Sequence, residues 1–106
     1  MHWILAHLIG DYIIQNDWMA RGKKRSSFIC LIHVITYLIP FLFTDLLYWQ
    51  IIAIGFEHFL QDRTNIVFWS MKISGSELFA KELAPWSIII TDNIYHILFM
   101  ALIASF

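Results

Sequence analysis

Charge is what this sequence has least of: Asp, Glu, Lys and Arg make up only 14% of its 106 residues. So little polar material cannot cover the surface of a water-soluble domain. A basic excess is also missing, since the net charge is −1, and this excludes a nucleic-acid partner on overall charge. Cysteine occurs once, at Cys30, so no intramolecular disulfide can form. Cys30 lies in an apolar run and reads as a small buried hydrophobe. The N-terminus lacks the basic stretch of a secretory signal, carries His2, His7 and Asp11 instead, and is followed by no small-residue cleavage pattern. It is expected to stay in the mature chain. Internal repeats, low-complexity tracts, phosphate loops, nucleophile elbows and HExxH zinc motifs are absent as well.

What is present is apolar. Hydrophobic residues reach 59%, above the roughly 45–50% of soluble domains. Mean hydropathy is +0.66. Four apolar runs separated by charged loops predict an all-α, four-helix transmembrane bundle forming one domain over 1–106. The spans fall at about 1–16, 27–44, 46–62 and 86–106, with Pro85 suited to open the last. Residues 63–84 mix Ile66, Val67, Phe68, Trp69, Leu78 and Phe79 with Lys72, Glu77, Lys81 and Glu82, and read as an interfacial segment on the headgroups. All seven basic residues fall in the loops of one face, four between the first two spans and three between the last two. The positive-inside rule makes that face cytoplasmic, in a multi-pass inner-membrane protein with both termini on the opposite side. Trp18, Trp49, Trp69 and Trp86 fall near span ends, where interfacial belts favour tryptophan.

Ionisable side chains inside a span cost at least about 2.5–3.5 kcal/mol each and need a partner, a cavity or a metal. The first span holds His7 and Asp11, four residues apart on one helical face, with Gln15 one turn further. The second contributes His33, the third ends in His58 and Asp62, and the fourth holds Asp92 and His96 in reversed order. Counted inward from the cytoplasmic boundary, Asp11, His33, His58 and Asp92 lie about 5–7 residues deep, and His7 and His96 about 10. The reversal is what the opposite direction of the fourth span requires for its layers to match those of the first. A lone buried histidine is more often a hydrogen-bonded core residue, but three i, i+4 His/Asp pairs at compatible depth point to one shared site. Mixed nitrogen and oxygen donors suit Zn, Mn, Fe or Ni. Seven candidates exceed the four ligands of a structural zinc site, leaving room for supporting residues or a second metal. Glu57, next to His58, points about 100° away and reads as a lipid-interface or helix-contact residue, or as a supporting base. Gly10 and Gly55 are positions where helices could approach closely.

The run from His7 through Gly10 and Asp11 to Gln15-Asn16-Asp17-Trp18-Met19-Ala20 resembles the signature of small bacterial and phage membrane proteins of unknown function. His33, His58-Phe59-Leu60-Gln61-Asp62 and Asp92-Asn93-Ile94-Tyr95-His96 complete the likeness over nearly the whole chain. A looser similarity extends to inner-membrane metal-dependent hydrolases regulated by the SOS response. The resemblance implies His7, Asp11, His33, His58, Asp62, Asp92 and His96 as the functional set, with Gln15 and Asp17 accessory. One departure concerns the lysine usual soon after the third-span aspartate, where Arg63 follows at once and Lys72 comes later.

The expected activity is metal-dependent hydrolysis of a lipid or phosphoester at the cytoplasmic leaflet. Asp11 and Asp92 are its candidate catalytic positions; Arg63, Lys24 and Gln15 are its candidate substrate contacts. Cation or proton handling, in a homo-oligomer that encloses a pathway, is a second expectation; a noncatalytic scaffold fixed by the cluster is a third. A lateral cleft reaching the cluster favours the enzyme, a polar path across both leaflets favours transport, and a sealed four-ligand site favours the scaffold.

Overall fold

The computed structural model describes residues 1–106 and is all helical. Helix α1 (Trp3–Leu8) runs into a π-helical segment, Ile9–Ile13, and α2 (Asp17–Gly22) follows. Then come α3 (Ser27–Leu38), extended by a 3₁₀ segment at Ile39–Phe43, and α4 (Tyr48–Arg63). Two short helices, α5 (Ile66–Ile73) and α6 (Glu77–Glu82), lead to α7 (Trp86–Ala104).

Local chemistry sets these boundaries. The side chain of His2 accepts from the Ile4 N–H, that of Asn16 from Met19 N–H and that of Ser26 from Ile29 N–H, so each caps a helix start. Gln50 Oε1 reaches back to the Leu47 N–H at 2.8 Å at the start of α4. Pro40 has no N–H to continue the α-helical ladder, and the chain tightens there into the 3₁₀ segment. Gly75, at φ 88°, makes the turn between α5 and α6.

The N-terminal ammonium donates to Phe43 O at 2.9 Å, while Gln15 at the other end of the same segment accepts from Lys23. Met1 at Phe43 and Gly10 at Tyr37 show that the first segment runs antiparallel to Ser27–Phe43. Close approach there depends on Gly10, whose missing Cβ would sit 2.7 Å from both Tyr37 Cδ1 and Tyr37 O. Gly55 gives α4 the same proximity to Leu38 of α3. At the end away from the basic loops, Ala6, Tyr37, Phe41, Ile51, Ile54 and Met100 form an apolar core. A second, smaller core of Val67, Met71 and Ala80 lies among α5, α6 and α7.

Many polar side chains are inside and many large apolar ones outside. Of 25 buried residues nine are polar or charged, whereas Phe28, Leu31, Ile35, Phe43, Ile52, Phe56, Leu98 and Leu102 are exposed.

Helix lengths differ from the four spans expected. Only α7, with 19 residues, is long and apolar enough to cross a membrane by length and composition. Ser27–Phe43 and Trp3–Ile13 are shorter apolar helices, and α4 has 16 residues, at about 1.5 Å each, against a hydrocarbon core of about 30 Å. The physical causes are local: the first helix ends after its π turn, Pro40 tightens the second, and α4 starts at Tyr48 rather than at Leu46. The stretch expected to be one interfacial segment is two helices, anchored on α7 by their own small core.

Candidate metal centre

Four helical segments deliver the cluster. Asp11 sits in the π segment, a geometry often associated with functional sites. His33 comes from the middle of α3, His58 and Asp62 from successive turns of α4, and Asp92 and His96 from successive turns of α7. All but Asp92 are buried.

The donor atoms converge closely. His33 Nε2 lies 2.9 Å from His58 Nε2 and 3.0 Å from Asp62 Oδ2, and His58 Nε2 lies 2.9 Å from the same oxygen. Asp11 Oδ1 stands 3.5 Å from His33 Nε2 and 3.7 Å from His58 Nε2. A tetrahedral ion bound at 2.0–2.1 Å holds its ligands about 3.3 Å apart, so these separations bracket the edge of such a tetrahedron. Asp11, His33, His58 and Asp62 thus have the chemistry and spacing to hold one divalent ion. Asp11 Oδ1 has no hydrogen-bond partner despite its burial, which is costly for a carboxylate oxygen unless a cation completes it. His33 Nδ1 and His58 Nδ1 meet no protein acceptor, so the protein sets their tautomers from the Nε2 side alone.

Asp11 also belongs to a second group, with Asp92 and His96. His96 Nε2 lies 3.4 Å from Asp92 Oδ2 and 3.3 Å from Asp62 Oδ1, while its Nδ1 faces Glu57 Oε2 at 3.2 Å. Gln61 Nε2 donates to Asp92 at both the backbone oxygen (2.7 Å) and Oδ1 (2.8 Å). Stacking aligns the rings: Tyr37 lies on His58 with centroids 3.7 Å apart, and His58 on His96 at 4.1 Å.

His7, expected among the ligands, lies outside both groups. Its Nδ1 pairs with the Tyr37 hydroxyl at 2.8 Å and its Nε2 with Asn93 Oδ1, so both nitrogens are used one layer below the cluster. Arg63 is likewise engaged away from it, donating to Ser27 Oγ and Lys24 O. Lys24 donates to the backbone oxygens of Asp62 and Thr64, and Gln15 accepts from Lys23 while donating to Asp11 O.

Lys23 is the cation that the sequence pattern does not single out. Its Nζ donates to Asp62 Oδ2 at 3.0 Å and to Gln15 Oε1 at 2.9 Å. Burial works against its charge, but Asp62 and Asp11 outweigh burial and raise its pKa above the usual lysine value. Within Arg21–Arg25 it reads only as one of several topology-setting charges, and nothing local signals a partner 39 residues away. Gln61, Asn93 and Tyr37 are likewise not singled out by the sequence, because each acts on a neighbouring helix rather than along its own; Glu57, one of whose readings is a supporting base, faces His96 Nδ1.

A cavity of about 620 Å³ opens onto the cluster from the end that carries the basic loops. Asp11, Asp62 and Asp92 line it together with Lys23 and Lys24, and Val67, Phe68, Ile88 and Ile89 form an apolar wall.

The chain belongs to the family described as "Protein of unknown function (DUF3307)", which it matches over residues 1–106. No curated protein and no solved structure matches it.

Proposed function

We propose that this DUF3307 protein is an integral membrane hydrolase whose His/Asp cluster holds a divalent transition metal and acts on a lipid or other amphiphilic phosphoester at the cytoplasmic leaflet. The observation that carries this reading is the cavity that reaches Asp11, Asp62 and Asp92 while presenting both lysines and an apolar wall. A sealed cluster would serve structure alone; this one is open to a ligand with an anionic head and an apolar body.

A bound divalent ion would supply Lewis acidity and acidify a coordinated water. The chain's own groups do the rest. The Asp92 carboxylate, oriented by Gln61, is the member of the cluster most open to the cavity and sets the edge against which a substrate would enter. Lys23 neutralises charge developing on the phosphoryl or acyl oxygen, and Lys24 holds the anionic head at the rim. Val67, Phe68, Ile88 and Ile89 hold the apolar portion and exclude bulk water.

Membrane residence is supported by the exposed apolar faces of α3, α4 and α7 and by the polar interior. The shorter helices are reconciled with a membrane by local thinning of the bilayer, since mismatch costs only fractions of a kcal/mol per ångström. The apolar core around Phe41 and Ile54 lies beyond the His7 and Tyr37 layer, which favours a site open to one leaflet over an ion pathway through the bundle.

The test is elemental analysis of gently purified, detergent-solubilised protein beside Asp62→Ala of equal monodispersity, followed by a screen of lipid phosphoesters. Bound transition metal that is lost in the variant, together with metal-dependent turnover, is expected. Metal-free protein after metal supplementation would overturn the proposal.

A further inference from the structure

We infer that the centre is binuclear, with Asp62 bridging two divalent cations and Asp11 shared between them. The inference rests on the metal-dependent reading above and adds a second, separately built position to it.

Asp62 divides its two oxygens between two sets of imidazoles. Oδ2 faces His33 and His58 at 3.0 and 2.9 Å, and Oδ1 faces His96 at 3.3 Å. A carboxylate with each oxygen aimed at a different nitrogen donor set is the arrangement that bridges two ions. The second set is completed by Asp92 and by Asp11, which belongs to both groups of converging donors. Asp11 Oδ1, buried and without a hydrogen-bond partner, lies 3.5 Å from His33 Nε2 and 3.7 Å from His58 Nε2, within the first set.

The surroundings of the second position are also prepared. Glu57 holds His96 through Nδ1, leaving Nε2 free to face the cluster, and Gln61 fixes Asp92 through Oδ1, leaving Oδ2 directed at His96. Such supporting bonds orient ligands and set the histidine tautomer.

The experiment loads the full-length, detergent-solubilised protein with Mn²⁺, measures bound metal per chain, and records low-temperature EPR spectra of wild type, His96→Gln and Asp92→Asn. Two ions per chain with an exchange-coupled spectrum are expected in wild type. Each variant should fall to one ion with the spectrum of isolated Mn²⁺, with helicity and monodispersity checked so that a misfolded variant is replaced by the other. One ion in wild type with no coupling would overturn the inference while leaving the metal-dependent reading intact. Two ions that survive both substitutions uncoupled would overturn it as adventitious binding. No bound metal would bring down both readings together.

Discussion

Substituting Gly10 by alanine tests whether the approach of the first segment to α3 is what places Asp11. An added Cβ would lie 2.7 Å from the Tyr37 carbonyl oxygen and 3.2 Å from its Cα, so α3 backbone must move. Overpacking of this kind costs about 1–3 kcal/mol, offset by the roughly 0.5–1 kcal/mol that alanine gains over glycine within a helix. The net expectation is a loss of about 1–2 kcal/mol. Gly55→Ala provides the internal comparison. There the nearest atom, also at 2.7 Å, is Leu38 Cδ1, a methyl that a rotamer change can move. Its overpacking and helix-propensity terms should nearly cancel, to within about 0.5 kcal/mol. The assay is reversible unfolding in mixed micelles with increasing SDS, followed by far-UV circular dichroism, together with metal stoichiometry. Gly10→Ala should be the less stable variant and bind metal more weakly, since Asp11 is its neighbour in the π segment. Equal stabilities for the two variants, or a stabilised Gly10→Ala with unchanged metal content, would refute the reasoning.

Tyr37→Phe removes the hydroxyl paired with buried His7 Nδ1 and should cost about 1–3 kcal/mol; a double-mutant cycle with His7→Phe that shows no coupling would contradict this. Lys23→Met deletes the ammonium against Asp62 and should tighten divalent-ion affinity at least about tenfold while lowering turnover, as read by chelator competition. Unchanged or weaker affinity would show that Lys23 does not compete with the ion. Leu98→Lys places a charge on the exposed face of α7, where a membrane-spanning helix loses about 2.5–3.5 kcal/mol of insertion free energy and an aqueous surface loses almost nothing. Failure of the variant to remain in the membrane fraction is expected. Reporter fusions after Ser74 and after Phe106 should report opposite sides of the membrane, with the former cytoplasmic.

The sequence by itself determined that the chain is helical, because its long apolar runs separated by charged loops read as helices. It also grouped His33, His58, Asp62, Asp11, Asp92 and His96 in one region, with His7 among them, since i, i+4 spacing fixes a face and distance from the basic loops fixes a level. Periodicity could go no further. Rotation of each helix about its axis, set by Gly10 against Tyr37 and Gly55 against Leu38, decided that His7 turns to Tyr37 and Asn93 instead of to the cluster. Helix ends depended on a π turn and on Pro40, which shortened segments that hydropathy alone runs together. Glu57 reaches His96 and Lys23 reaches Asp62 only across helices, so their roles were set by tertiary packing. A pattern along one helix constrains the angle at which a side chain leaves it; which partner stands at that angle is a property of the assembled bundle.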